Sequence, residues 1–332
     1  MLLLTSITGA VESGLIYAIM ALGVYLSFRV LDFPDLTVDG SFVTGAAVAA
    51  TLIVHGVNPF AATCLALFVG FAAGCMTGLL HTAGKINPLL SGILMMIALY
   101  SINLRIMGRS NVPLLNEKTV FTIIQEWGTN IGLDAAAAKT WGILLSMTLL
   151  ALLLKWFTDW FLQTEIGLAI RATGDNPRMI RSLSANTSSL IVLGLGLSNA
   201  MVAFSGALVA QYGAFADVGM GIGMIIIGLA SVIIGEAVLG TKTIARTTLA
   251  VIGGAILYRI VVSLALRVQF LETGDVKLIT ACMVVLALVV PQLVRQQQEK
   301  KRKEAKRRIQ AEAAAAAAVG KGGADVAIKR DL

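Results

Sequence analysis

Apolar runs of about twenty residues, separated by short polar or glycine-containing breaks, recur along most of the chain. Nine stand out, at 12–29, 38–54, 60–81, 89–106, 140–162, 188–211, 222–240, 247–266 and 277–294. A helix needs roughly 20 apolar residues to cross the hydrocarbon core. The pattern therefore predicts an all-α polytopic membrane protein with about nine transmembrane helices. Residues 1–11 lack the length and charge of a secretory signal, so the first span is expected to stay in the protein. The longest break, 107–139, carries Val120, Ile123, Ile124 and Trp127 at helical spacing. That spacing fits either a short helix on the membrane surface or a cap that meets an external partner.

Composition agrees with the spans. The chain is 57% hydrophobic and 14% charged, where a soluble domain has about 25% charge. The net charge of +7 is concentrated: 295–308, "RQQQEKKRKEAKRR", holds eight Lys/Arg against two Glu. Beside a membrane span such a run reads as a cytoplasmic anchor near anionic lipid, with no nucleic-acid partner expected. This divides the chain into a transmembrane domain, 1–294, and a basic, disordered cytoplasmic tail, 295–332. Counting back from a cytoplasmic C-terminus puts 241–246 (Lys242, Arg246) and 163–187 (Arg171, Arg178, Arg181) inside. It puts 107–139, 212–221 and the N-terminus outside.

Candidate chemistry is sparse. Cys64, Cys75 and Cys282 lie in apolar runs without a C-x-x-C pair, and His55 and His81 lack carboxylate neighbours, so no metal site is expected. "GEAVLGTKT" (235–243) misses the phosphate-loop pattern, since Thr241 separates Gly240 from Lys242. No Ser/His/Asp grouping suggests a catalytic residue. Polar groups inside spans are costly and point to function or to structural pairing. Glu236 and Arg259 form either an ion pair between neighbouring helices or part of a pathway. Asn199 is either interhelical glue or a solute contact. Ser41, Asn199 and Ile226, on the facing surfaces of spans two, six and seven, are the candidate pathway residues, with Tyr25 nearby. "LDFPDLTVDG" (31–40) and "GAFADVGMGIG" (213–223) share F-x-D, at Phe33/Asp35 and Phe215/Asp217. With span five between them, spans one to four and six to nine would form two inverted four-helix repeats; a chance match of short strings is the competing explanation.

The segment "IRATGDNPRMIRSLSAN" (170–186) is compact, charged and turn-rich between two spans. Asn176 is placed to cap a short helix that begins at Pro177, with Gly174 as a permissive backbone position before it. Met179, Ile180 and Leu183 share one face, while Arg178 and Arg181 lie on another. The segment is either a positively charged surface loop or a docking element for a cytoplasmic partner.

"TEIGLAIRATGDNPRMIRSLSAN" followed by "GLSNAMVAFSGALVAQ" closely resembles the cytoplasmic coupling region of permeases in ABC importers of the branched-chain amino acid and ribose type. "GLIYAIMALGVYLSFRVLDFPDLTVDGSFVTGAAVAA" (14–50) resembles the opening of that family, and "GIGMIIIGLASVIIGEAVLG" (221–240) its later core. The resemblance covers about 10–294 and is nearest the branch associated with tryptophan, tyrosine or related amino acids. Where many branched-chain permeases carry N-F-A-H-G, this chain has "DFPDLTVDG". The resemblance implies a type II importer fold like that of the vitamin B12 importer permease, in a bacterial inner membrane. It also implies a pair of permeases, here expected as a homodimer, and an extracytoplasmic solute-binding protein. Cytoplasmic ATPases would hold ATP and Mg, with no cofactor in this chain. Residues 171–184, including Arg171 and Asp175, would be the coupling helix region. An ion-coupled secondary transporter is the alternative.

Overall fold

The computed structural model describes residues 2–130, 132, 134–182 and 185–265, with 281, 282, 285 and 289 beyond them. Residues Met1–Val284 form one compact unit and Val285–Leu332 a second; all elements below belong to the first. The ninth expected span, the 294/295 boundary and the basic tail lie outside the described residues, apart from those few positions.

The chain order is α1 (Leu2–Val24), a π-helical turn (Tyr25–Val30), α2 (Thr37–Val54), α3 (Pro59–Thr82), α4 (Pro88–Met107), β1 (Asn111–Pro113) and α5 (Val120–Asn130). It continues with α6 (Ala135–Gln163), α7 (Glu165–Asp175), α8 (Pro177–Ser182), α9 (Thr187–Gly213), β2 (Phe215–Asp217), α10 (Met224–Leu239) and α11 (Ile244–Ala265). Asn-Pro pairs start several of these helices. Asn58 accepts the Phe60 N–H at 2.9 Å and Asn87 the Leu89 N–H at 3.0 Å, while proline occupies the first helical position.

Among the described residues seven helices are long and apolar enough to cross a membrane. The expected span 222–240 is shorter than the sequence implied. α10 has 16 residues, about 24 Å at 1.5 Å each, against a core of roughly 30 Å. It starts late because Gly223 adopts φ +89°, a left-handed turn that ends the preceding irregular segment.

α1, α2 and α9 make the interior and α6 the periphery: 78% of the α1 span is buried against 17% of the α6 span. α9 fastens itself to α1 through hydroxyls, Ser198 donating to the Gly23 carbonyl at 2.7 Å and Ser205 to the Ile16 carbonyl at 2.8 Å. Small residues let backbones approach; a Cβ at Gly45 of α2 would collide with the Ala203 carbonyl of α9. On α6, Trp141 near one end and Trp156 and Trp160 near the other are exposed, with exposed Leu145, Leu149, Leu152 and Leu153 between. That is a lipid-facing surface with an aromatic belt at each boundary.

α2 and α3 pack chiefly on α9, while α10 and α11 pack on each other and on α1. Each half thus lays its second and third helices against the first helix of the other. This exchange is what two inverted halves produce. β1 and β2 pair antiparallel, Asn111 opposite Asp217 and Pro113 opposite Phe215. The pairing joins two segments that the charge count assigns to the same, outer side. The helix expected within 107–139 is α5. Its first turn is tied to α9, the Val120 N–H donating to Gln211 Oε1 at 3.0 Å, and its Trp127 stacks on Phe60.

Candidate coupling segment and membrane-interior sites

The segment between α6 and α9 folds as two helices. Thr164 caps α7 by accepting the Gly167 N–H at 3.2 Å. Asn176 caps α8 by accepting the Met179 N–H at 3.1 Å, as the sequence order Asn-Pro anticipates. Gly174 has another role than the one expected. It is helical, without a positive φ, and is small because the Val30 carbonyl and Leu31 lie against it. α7 is thereby seated on the end of the first span, as well as on α6 and α9.

Two side chains depart from the docking face expected of α8. Ile180 is buried, so it anchors α8 to the permease itself. Arg181 is partly engaged, its Nε donating to Thr187 Oγ1 at 3.0 Å. Leu183 lies outside the described residues. Met179 is half exposed, and Asp175, Asn176, Pro177 and Arg178 are exposed, whereas Arg171 is partly covered. The exposed surface of the described segment therefore carries Met179 beside Arg178 on α8, and Ile166 and Leu168 on α7.

Glu236 and Arg259 do not pair. Glu236 Oε1 accepts from Arg29 Nε at 2.9 Å, at the end of the first span. Arg259 Nε donates to Ser13 Oγ at 3.2 Å, and its guanidinium lies 4.5 Å from the centre of the Tyr17 ring. The reason is register. α10 and α11 are antiparallel, with Gly235 against Ala250. Arg259 lies nine residues beyond Ala250, about 14 Å along the helix.

Among the described residues no hydrogen bond joins the four candidate pathway residues. Tyr25, Ser41 and Asn199 are buried, and Ile226 is exposed. Asn199 is an interhelical tie. Its Nδ2 donates to Asp35 Oδ2 at 2.6 Å and to the Leu195 carbonyl at 3.0 Å. Asp35, in the link before α2, also accepts the Thr37 N–H at 2.9 Å. Burial pushes the Asp35 carboxyl above the ordinary aspartate range, and the hydrogen bonds from Thr37 and Asn199 pull it partly back.

Sequence reasoning missed two polar arrangements. In α6, Lys155 contacts Asp159, which also accepts from Thr248 Oγ1 of α11 at 2.6 Å; the i,i+4 spacing was its available signal. The second is Asp39 of α2, whose Oδ2 accepts the Gly223 N–H at 2.9 Å and whose Oδ1 accepts the Ile225 N–H at 2.8 Å. This carboxylate caps α10 from the other half of the molecule. Its neighbour Gly40 packs on Met96 and Leu99, in the middle of α4. α10 therefore begins deep within the bundle, and a residue 184 positions away in sequence satisfies its first amides.

A polytopic helical bundle with a short helix pair seated on its spans is the architecture of a multi-pass membrane protein. The chain belongs to the family of the branched-chain amino acid transport system permease component, whose model matches residues 6–290. It is thus a permease subunit of an ABC importer, a class that works with a separate ATPase. It is 40% identical over 282 residues to the tyrosine transport system permease protein of Clostridioides difficile (strain R20291), covering 85% of this chain and 90% of that protein. It is 35% identical to an uncharacterised protein of Rickettsia prowazekii (strain Madrid E), over 69% of this chain and 76% of that one. A solved metal-chelate-type ABC transporter in an inward-facing conformation superposes with a TM-score of 0.48 at 16% identity, over 87% of this chain and 85% of that one.

Proposed function

We propose that two copies of this chain form the pathway of an importer for tyrosine or a closely related amino acid. The single observation that carries the solute class is the 40% identity, over nine tenths of its length, to a tyrosine transport system permease. An extracytoplasmic binding protein delivers the solute to the outer side, where α5 and the β1–β2 pair make a cap. ATP and Mg are held by cytoplasmic ATPases, and this chain has no nucleotide site of its own. The protein lies in a bacterial inner membrane with its C-terminus in the cytoplasm.

The ATPase docks on α7 and α8. What supports this reading is the seating of α7 on α6, α9 and the end of the first span, so a force applied there reaches three elements at once. Met179, with Leu183 as the second anchor, enters an apolar groove, and Arg178 meets acidic groups at its rim. Losing a buried apolar anchor costs about 2 kcal/mol or more at an interface, and a rim ion pair roughly 0–1 kcal/mol. Met179→Asp and Leu183→Asp should each abolish ATPase co-purification while the permease still reaches the membrane, and Arg178→Ala should weaken docking modestly and mainly at low salt, where the rim charge is unscreened. Retention of normal coupling by both apolar variants would make the segment a solvated connector. A stable, transport-competent complex whose mass contains one permease would rule out the pair.

A further inference from the structure

α10 is held to the first half of the chain at both ends. At its start Asp39 of α2 accepts the Gly223 and Ile225 amides at 2.9 and 2.8 Å. Near its other end, which closes at Leu239, Glu236 accepts from Arg29 Nε at 2.9 Å. Between these ties Gly228 lies against Val24 of α1. Arg29 stands in the π-helical turn Tyr25–Val30 that ends the first span. The wide winding is closed by the Leu31 N–H, which donates to the Leu26 carbonyl at 3.0 Å, five residues back. Such turns are rare and concentrate at functional sites.

The same turn is where α7 rests. A Cβ at Gly174 would collide with the Val30 carbonyl, and both Leu31 and Ile170 of α7 lie against Gly194 of α9. Ile170 and Thr173 are buried. Contacts this close have little compressibility, so a displacement of α7 is passed to the turn rather than absorbed. Arg171 of α7 shares the neighbourhood: its charge and those of Arg29, Glu236 and Asp159 all act on the buried Tyr25 phenol. The Arg29–Glu236 contact suits being made and broken. The Arg29 side chain is 61% exposed and that of Glu236 15%, so water can take the place of Glu236 on Arg29 and the pair holds weakly. We propose that Arg29 is a positioning residue that latches the end of α10 beside α7 and releases it when the coupling segment shifts. Movement of α7 displaces Val30 and Leu31, the π turn carries Arg29 away from Glu236, and α10 moves at that end about a start held by Asp39. This rests on the reading that the ATPase docks on α7 and α8.

The test uses the permease–ATPase complex in nanodiscs, with spin labels at Leu79→Cys on α3 and Val238→Cys on α10, both exposed. Its background carries Cys64→Ala, Cys75→Ala and Cys282→Ala. The distance between the labels is measured without nucleotide and with ATP and vanadate, and a nucleotide-dependent change is expected. Arg29→Ala should show the ATP-state distance already without nucleotide, while ATPase co-purification and basal hydrolysis stay unchanged. The charge swap Arg29→Glu with Glu236→Arg should restore the response, which a merely structural loss would not allow. Should Arg29→Ala fail to fold, Glu236→Gln, which keeps the shape and loses the charge, takes its place. A constant distance in the unsubstituted complex, a normal response in the folded single variant, or a swap that restores nothing overturns the latch. Docking is scored separately by ATPase co-purification with Met179→Asp. If that variant keeps its ATPase while Arg29→Ala loses the response, the docking contact is wrong and the latch stands. If it loses its ATPase while Arg29→Ala responds normally, docking stands and the latch is overturned.

Discussion

The two F-x-D segments begin alike and end differently. Asp35 accepts the N–H of Thr37 at 2.9 Å, and Asp217 accepts the N–H of Gly219 at 2.7 Å. Both aspartates close the same local turn two residues ahead. Beyond that turn the halves diverge. Thr37 is already the first residue of α2, so the turn and the helix start coincide. After Asp217 the chain runs on to Gly223 before α10 begins, and Gly223 has no side chain with which to cap. The cap comes from Asp39 of the first half. α2 is thus started by its own upstream sequence, and α10 by its neighbour. A helix whose first amides depend on another element can begin or fray as that element moves, whereas a self-started helix cannot be so controlled.

The largest effect should come from Asp35→Ala. It leaves the Thr37 N–H and the Asn199 amide without their acceptor in a fully buried site, at about 1–3 kcal/mol for each group. Thermal unfolding in detergent should drop by several degrees, and an unchanged midpoint would remove Asp35 from the core of the comparison. Its proton adds a sign. The folded carboxyl sits above its unfolded value of about 3.9 because burial disfavours the charge. Its contribution to stability is present below that unfolded value and is lost as pH rises through the folded one. Asp35→Asn should flatten this fall, which a pH series of unfolding midpoints would detect.

Asp39→Ala should be next, at roughly 1–2 kcal/mol for a lost cap. Its effect should be local: hydrogen exchange at 223–226 accelerates while α2 keeps its protection. Equal acceleration in both helices would mean that α10 is no more dependent than α2. Asp217→Ala should cost least among the aspartates, about 0.5 kcal/mol, because its turn is partly exposed and starts no helix. Smaller still is Glu236→Gln. Its partner Arg29 has a side chain that is 61% exposed, and such pairs contribute about 0–1 kcal/mol and weaken with salt.

Much of the architecture was legible because a membrane simplifies the problem. Every spanning helix must satisfy its own backbone, so runs of apolar residues mark helices without knowledge of neighbours. That logic located the first eight spans to within a few residues, apart from the extended start of α1. The Asn176–Pro177 start was equally readable, since capping is a local contact between a side chain and the next amides. The pairing of Glu236 with Arg259 was not. Both residues were visible as costly intramembrane charges, but pairing depends on helix register. Ile180 failed for a related reason: amphipathic spacing reveals an apolar face without saying whether this protein or its partner covers it.

The sequence alone determined where helices lie, which loops are basic, where local caps begin and to which family the chain belongs. These follow from hydropathy, from contacts within a few residues and from matching strings. Only the tertiary structure decided that Asp39 caps α10, that Asn199 ties to Asp35, and that Asn103 of α4 donates to the Gly40 carbonyl of α2. Each of those facts joins residues many positions apart through the depth and rotation of packed helices. A linear pattern carries the period of a helix but not its height in the bundle, and it is height that sets which polar groups meet.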